Sequence, residues 1–264
     1  MFLSTALKKR AKKMLSKSQK RAIKHFVYSL VYSNDLRKLA LAFGTDKEGT
    51  HYYTQHYQHH FSQLRRSNIK LLEIGIGGDE TPEAGGESLR MWKAYFKNGE
   101  IFGIDIFDKT DHDEKRIKTF KGNQVDREFL KKVVAETGGF DIVIDDGSHY
   151  NDHVVDTFNI LFPLVKSNGI YVIEDLQTSY WDEMNGKKWG GSNDLKAEYT
   201  SMNFLKSLVD GLNYEEFAVD NYVPTYFDKN IISIHFYHNL AFIYKGDNNE
   251  GSNKLGKKLS KVIE

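Results

Sequence analysis

Four near-continuous apolar runs punctuate the middle of the chain: IKLLEIGIGG from Ile69, EIFGIDIFD over 100–108, FDIVIDD over 140–146 and GIYVIEDL over 169–176. Runs of this kind, apolar at odd and even positions alike, mark strands buried on both faces of a parallel sheet. A further strand is expected just before KGNQ (121–124). Between the runs, apolar residues recur at helical spacing instead, over 87–96, 126–137 and 154–165. Strand and helix therefore alternate, which predicts an α/β fold with a doubly wound, Rossmann-like, mostly parallel sheet. Past Ser192 the pattern gives a helix over 195–212, then the apolar runs IISIHFYH and LAFIYKG separated by Asn239. Their simplest arrangement is a terminal antiparallel pair.

Upstream of the first strand, LRKLALAF is a helical run stopped by Gly44, and THYYTQHYQHHF reads as a second, histidine- and tyrosine-rich helix. Three parts are expected: an N-terminal helical extension over 1–66 with a possible lid, a sheet domain over 67–246 and a polar, lysine-rich tail over 247–264. That tail reads as frayed or as a short surface helix.

Composition alters this picture in two places. The absence of cysteine rules out disulfides and thiolate zinc sites, and it fits a cytoplasmic protein. The 37 basic and 36 acidic side chains leave a formal charge of +1, so bulk electrostatics favour neither nucleic acid nor an acidic partner. That balance hides nine basic residues and no acid over 8–24. The segment is too charged for a membrane span and lacks the apolar core of a signal peptide. A solvated surface is its bland reading. The sharper one is peripheral contact with the anionic inner face of a membrane.

The chemistry gathers where the strands end. Glycines after the first strand, Gly75, Gly77 and Gly78, let the backbone turn tightly and approach a ligand. A dinucleotide fingerprint needs another small residue at position 80, which is Glu, and no phosphate-loop Lys-Ser/Thr follows. Asp105 stands after the second strand, where a carboxylate accepts from ribose hydroxyls, although a turn-capping role is open to it too. Asp145 and Asp146 cannot share a face of their strand, so one of them faces the ligand cleft. His149 follows Asp146 by three residues, and Glu174 and Asp175 follow it by 28 and 29 at the end of the neighbouring run. Clustered carboxylates repel unless a cation separates them, and an oxygen-only donor set suits Mg²⁺ or another hard divalent ion. Histidine titrates near neutral pH and is suited to take a proton from a metal-held hydroxyl.

Acidic first strand, glycine turn and acidic second strand together resemble the class I S-adenosylmethionine-dependent methyltransferases. That resemblance implies that Glu73, Gly75 and Gly77 face the methionine end of the cofactor and that Asp105 holds its ribose. It also implies that Gln124 recognises adenine, with Asp126 better suited to cap a helix, and that Asp145 belongs to the cofactor-binding set. AGGESLRMWKAYF, FDIVIDDGSH, GIYVIEDLQTSYW and ISIHFYHNLAFIYKG resemble more narrowly the metal-dependent macrolide-sugar O-methyltransferases, of the macrocin and mycinamicin type, over about Phe43 to Gly246. By that resemblance Asp146, Glu174 and Asp175 are metal ligands and His149 is the general base. Asn123 departs from the acid expected at its position, and residues 1–42 have no counterpart.

The expected activity is O-methylation of a sugar hydroxyl on a glycosylated metabolite or a surface-polysaccharide precursor, with a homo-oligomer open. An NAD-dependent oxidoreductase and a non-catalytic cofactor-binding protein are the alternatives. Histidines 51, 56, 59 and 60 offer a weaker transition-metal reading, and Trp181 either stacks on a sugar ring or packs.

Overall fold

The computed structural model of the chain describes residues 16–252. The first half of the basic run and most of the polar tail lie outside the described residues. The chain divides into two compact units, one reaching to Ser67 and including Glu87–Asn98, the other made of Asn68–Gly86 and the chain from Gly99 onward.

The first unit is helical: α1 (Lys17–Val31), α2 (Leu36–Phe43), α3 (Thr54–Phe61) and α4 (Glu87–Tyr95). Asp35 starts α2 by accepting from the Lys38 N–H, and Gly44 ends it in the left-handed conformation, so both boundaries follow from local chemistry. Leu36, Leu39, Ala40 and Phe43 form its buried face. Tyr57 and Phe61 of α3 meet Trp92 of α4, with the Tyr57 and Trp92 rings edge to face at 5.0 Å. The helix expected over 87–96 among the sheet's helices thus groups with the N-terminal ones.

The second unit is built on β1 (Lys70–Ile74), β2 (Glu100–Asp105), β3 (Ile117–Lys121), β4 (Ile142–Asp145), β5 (Ile170–Ile173), β8 (Ile231–Tyr237) and β9 (Leu240–Lys245), in the order β3-β2-β1-β4-β5-β9-β8. The first five are parallel, while β9 runs antiparallel to both β5 and β8. A separate two-stranded hairpin pairs β6 (Glu183–Met184) with β7 (Lys187–Lys188). Burial on both faces explains the unbroken apolar runs: Ile142, Val143 and Ile144, and likewise Ile170 through Ile173, are all buried.

Three helices of this unit are α5 (Arg127–Thr137), α6 (Asn151–Leu161) and α7 (Ser201–Gly211). Asp126 caps α5 through the Glu128 and Phe129 N–H groups. The start of α6 precedes its apolar pattern by three residues, and Pro163 turns its end into a 3₁₀ segment. The helix expected from 195 begins only at Ser201, capped by Thr200. Leu195 and Tyr199, each 65% exposed, give the intervening turn no face to bury, so propensity alone does not hold it helical.

One buried cation needs an account. Lys245, at the end of β9, donates to the carbonyls of Val165, Pro163 and Phe162 at 2.6, 2.8 and 3.2 Å. Its ammonium thus meets the carbonyl end of the 3₁₀ turn, and all three of its donors are used.

Candidate active site

The strand order reverses between β1 and β4, opening a crevice outside the carboxyl ends, where sheets of this kind bind ligands. The expected site residues of the second unit converge there: Glu73 on β1, Asp105 closing β2, Asp145 closing β4 and Glu174 just after β5.

The glycine turn is fixed by backbone proximity. Gly75 donates to the Ile104 carbonyl at 2.8 Å, and a Cβ on it would lie 2.0 Å from the Asp146 carbonyl oxygen. Its φ of +87° is also a region L residues avoid. Gly75→Ala is therefore expected to destabilise the protein by about 2 to 5 kcal/mol through backbone strain and overpacking. An unchanged urea midpoint would mean that the ends of β1 and β4 do not touch in this way. At Gly77, φ +76°, the nearest atom to such a Cβ is 3.9 Å away, so the turn is open on that side.

Asp105 accepts from the Ile76 N–H of this turn and from the Phe107 N–H, each at 2.9 Å. Each of its oxygens retains acceptor capacity, so capping the turn and receiving a ribose hydroxyl are compatible roles. The long Gly77-to-Asp105 interval contains the segment 79–86. The buried Lys109 ammonium anchors it through the Thr81 and Ala84 carbonyls at 2.8 and 3.2 Å, and His112 lies 3.0 Å from the latter.

Asp145 turns inward and Asp146 outward. The Asp145 carboxylate is 2% exposed and receives Gln124 Nε2 at 3.3 Å and the Tyr171 hydroxyl at 3.4 Å. Burial, and the neighbouring Asp146 charge after it, push its pKa up to about 7, against the lowering effect of the Gly147, Tyr171 and Gln124 hydrogen bonds. The Gln124 amide also donates to Thr157 at 3.0 Å and accepts from the Ser148 N–H at 2.8 Å. Both residues expected at the cofactor thus have interior partners: Gln124 braces the β4 end and the Ser148 turn, with both amide protons already donated.

Asp146 is the hub of the outward side. Ligand atoms of Asp146, His149 and Asp175 lie within 4.8 Å of one another, and so do those of Glu73, Asp146 and Glu174. His149 Nε2 stands 3.8 Å from Asp146 and 3.7 Å from Asp175, beyond hydrogen-bond length. Glu73 and Glu174 are 0% and 2% exposed. Carboxylates buried this close to one another repel strongly, and the donor set fits a hard divalent cation held by oxygens. The three residues expected as ligands do not form one group by themselves: Glu73, expected at the methionine end of a cofactor, joins Asp146 and Glu174. Among the described residues no second converging group occurs elsewhere, and neither of these contains His51, His56, His59 or His60.

Two residues of the cluster are held in the left-handed region, His149 at φ +58° and Asp175 at φ +55°. Each costs roughly 1–2 kcal/mol relative to ordinary backbone. Such strain at two adjacent strand ends is characteristic of functional sites.

On the flank of this cluster the sequence pointed to Trp181 but not to the hairpin that follows it. Asn185 and Gly186, both with positive φ, turn the β6–β7 hairpin, and an Asn-Gly pair was the available signal. Lys187 Nζ sits 3.9 Å from the Trp189 ring centre and 4.7 Å from that of Tyr150, the residue after His149. Trp181 approaches Trp189 at 6.3 Å. The buried Asn151 side chain binds the carbonyls of Thr178 and Trp189 and accepts from Ser201 N–H, tying the hairpin to the starts of α6 and α7.

No protein-family model matches the chain. Among individual proteins, it is 47% identical over 219 residues to the mycinamicin VI 2''-O-methyltransferase of Micromonospora griseorubida, a match covering 82% of this chain and 54% of that one. It is 48% identical, at the same coverage, to the demethylmacrocin O-methyltransferase of Streptomyces fradiae. A rhamnosyl-tetracenomycin 3'-O-methyltransferase of Streptomyces olivaceus is 46% identical over 221 residues, 83% of this chain and 55% of that protein. Among solved structures, the MycE methyltransferase of mycinamycin biosynthesis, in complex with Mg and SAH, superimposes with a TM-score of 0.78 at 48% identity, covering 82% of this chain and 55% of the other. The chain spans about half the length of the relatives it matches. Sequence and fold agree over the matched length: this chain is a homologue, with the class I methyltransferase fold, of the macrolide-sugar O-methyltransferases.

Proposed function

We propose that the protein is an S-adenosylmethionine- and Mg²⁺-dependent O-methyltransferase whose acceptor is a sugar hydroxyl on a glycosylated small molecule or a surface-polysaccharide precursor. The observation that carries this reading is the convergence of Asp146, His149 and Asp175 beside the glycine turn, with Glu73 and Glu174 completing the acidic lining. Relatives named for methylation of mycinamicin VI and demethylmacrocin support the acceptor class.

The residues divide the work. Asp146, Glu174 and Asp175, with Glu73 beside them, would hold the cation. The cation supplies positive charge that lowers the pKa of a hydroxyl. Gly75 and Gly77 would hold S-adenosylmethionine and Asp105 would hold its ribose; the cofactor would supply an electrophilic methyl and a thioether leaving group. His149 takes the hydroxyl proton on its Nε2 edge, which faces the two outer carboxylates. Asp145, Gln124 and Tyr171 keep the β4 end from shifting as charge moves above it. Trp181 would offer a ring face to the sugar, while the Lys187 ammonium sits over the Tyr150 and Trp189 rings.

Calorimetric titration of S-adenosylmethionine, first with Mg²⁺ and then with EDTA, tests the reading. Saturable binding in both buffers is expected, because the glycine turn and the carboxylate cluster are separate groups of residues. Heat on adding NAD and none on adding S-adenosylmethionine would favour the oxidoreductase alternative instead.

A further inference from the structure

Helix α1 shows an unusual division of its faces. Ile23, Phe26, Val27, Leu30 and Val31 recur at intervals of three and four, the spacing of a single apolar stripe. That stripe normally faces a core, yet here its members are 50%, 64%, 45%, 63% and 65% exposed. The inward face carries His25, Tyr28, Ser29 and Tyr32 instead. The His25 and Phe43 rings meet at 4.5 Å, tilted by 37°, and the Ser29 carbonyl accepts from Lys97. The helix is therefore anchored by its more polar side, with its more apolar side turned to solvent. An apolar stripe of this size on a charged helix marks an interaction surface.

Charge identifies what covers it. Lys20 and Lys24 are exposed, and helical spacing sets them along one border of the stripe. Over 8–24 there are nine basic residues, and no acid occurs before Asp35. A second copy of this chain is a poor partner: a two-fold pairing sets the same patch against itself and offers this cationic helix no acidic counterpart. A surface combining negative charge with apolar depth matches both features, and an anionic lipid bilayer has both. None of the helices among the described residues is long and apolar enough to cross a membrane, so α1 would lie along the interface.

We infer that α1 docks the protein on an anionic membrane surface, with Ile23, Phe26, Val27, Leu30 and Val31 entering the acyl boundary while Lys20 and Lys24 remain among the headgroups. This does not depend on the proposed methyl transfer.

Vesicle flotation of the full chain tests it, with phosphatidylcholine alone and with phosphatidylcholine mixed with phosphatidylglycerol. The protein is expected to float with the anionic vesicles and to remain below with the neutral ones. Phe26→Ser with Leu30→Ser, and separately Lys20→Glu with Lys24→Glu, should each reduce the floated fraction by about tenfold. All four positions are exposed, so both variants should keep the wild-type melting curve. Equal partitioning between the two vesicle types, no flotation, or flotation unchanged in the serine variant would overturn the inference. So would sedimentation showing a wild-type dimer that the serine variant dissociates, which would assign the stripe to a second copy.

Discussion

Replacing His149 by Ala is expected to lower methyl transfer to a sugar acceptor by about two to four orders of magnitude, the usual contribution of a positioned general base, with binding of S-adenosylhomocysteine preserved. The cofactor would rest on Gly75, Gly77 and Asp105, whereas the His149 imidazole faces Asp146 and Asp175. Backbone strain complicates the alanine variant, because position 149 has φ +58° and alanine is poor there. His149→Asn separates the two effects, since asparagine tolerates the left-handed region. It should lose activity as fully as the alanine variant while melting closer to wild type. Turnover near wild type in the asparagine variant would remove His149 from the chemistry.

Asp146→Asn should produce a crossed pattern in thermal stability. Asp146 is shared by both groups of converging donors. In EDTA the variant should melt above wild type, because one negative charge is removed from a cluster that repels itself. In saturating Mg²⁺ the order should reverse, since only wild type gains from binding a ligand to its native state. Metal affinity should fall by about 100-fold or more, given that outer-shell changes alone cost about 10- to 100-fold. Asp152→Asn, an exposed change outside the cluster, should move neither curve. If Mg²⁺ raised both melting points equally, the ion would be binding elsewhere.

Much of this site could be read from the strand runs, because a buried parallel strand that stops in charge has few physical explanations. The ends of β1, β2, β4 and β5 all met that description, and the β8–β9 pair was marked by two apolar runs and the Asn239 break between them. What stayed hidden depends on neighbours in space. Glu73 reaches Asp146 and Glu174 only because the order β1-β4-β5 makes their strands adjacent, and no local pattern encodes that order. Alternation put Asp145 and Asp146 on opposite faces without saying which faced in; Tyr171 and Gln124 decide it. The left-handed residues His149 and Asp175 carry no glycine or asparagine to advertise them. Helix α7 started late because a run of good helix formers over 195–200 had no apolar face to bury.

On the proposed function, the Asn151 side chain separates the part of the chain that would meet an acceptor from the acidic cluster. It clamps the base of the β6–β7 hairpin from beneath, while the acidic cluster is carried by different strand ends. The hairpin is a detachable cassette in this sense: residues 182–186 should tolerate lengthening, shortening or exchange while the clamp and the strand-end carboxylates stay in register. On the proposed function, libraries confined to residues 182–186, which leave Lys187 on the Tyr150 and Trp189 rings, would explore acceptor preference while the strand-end carboxylates stay in place.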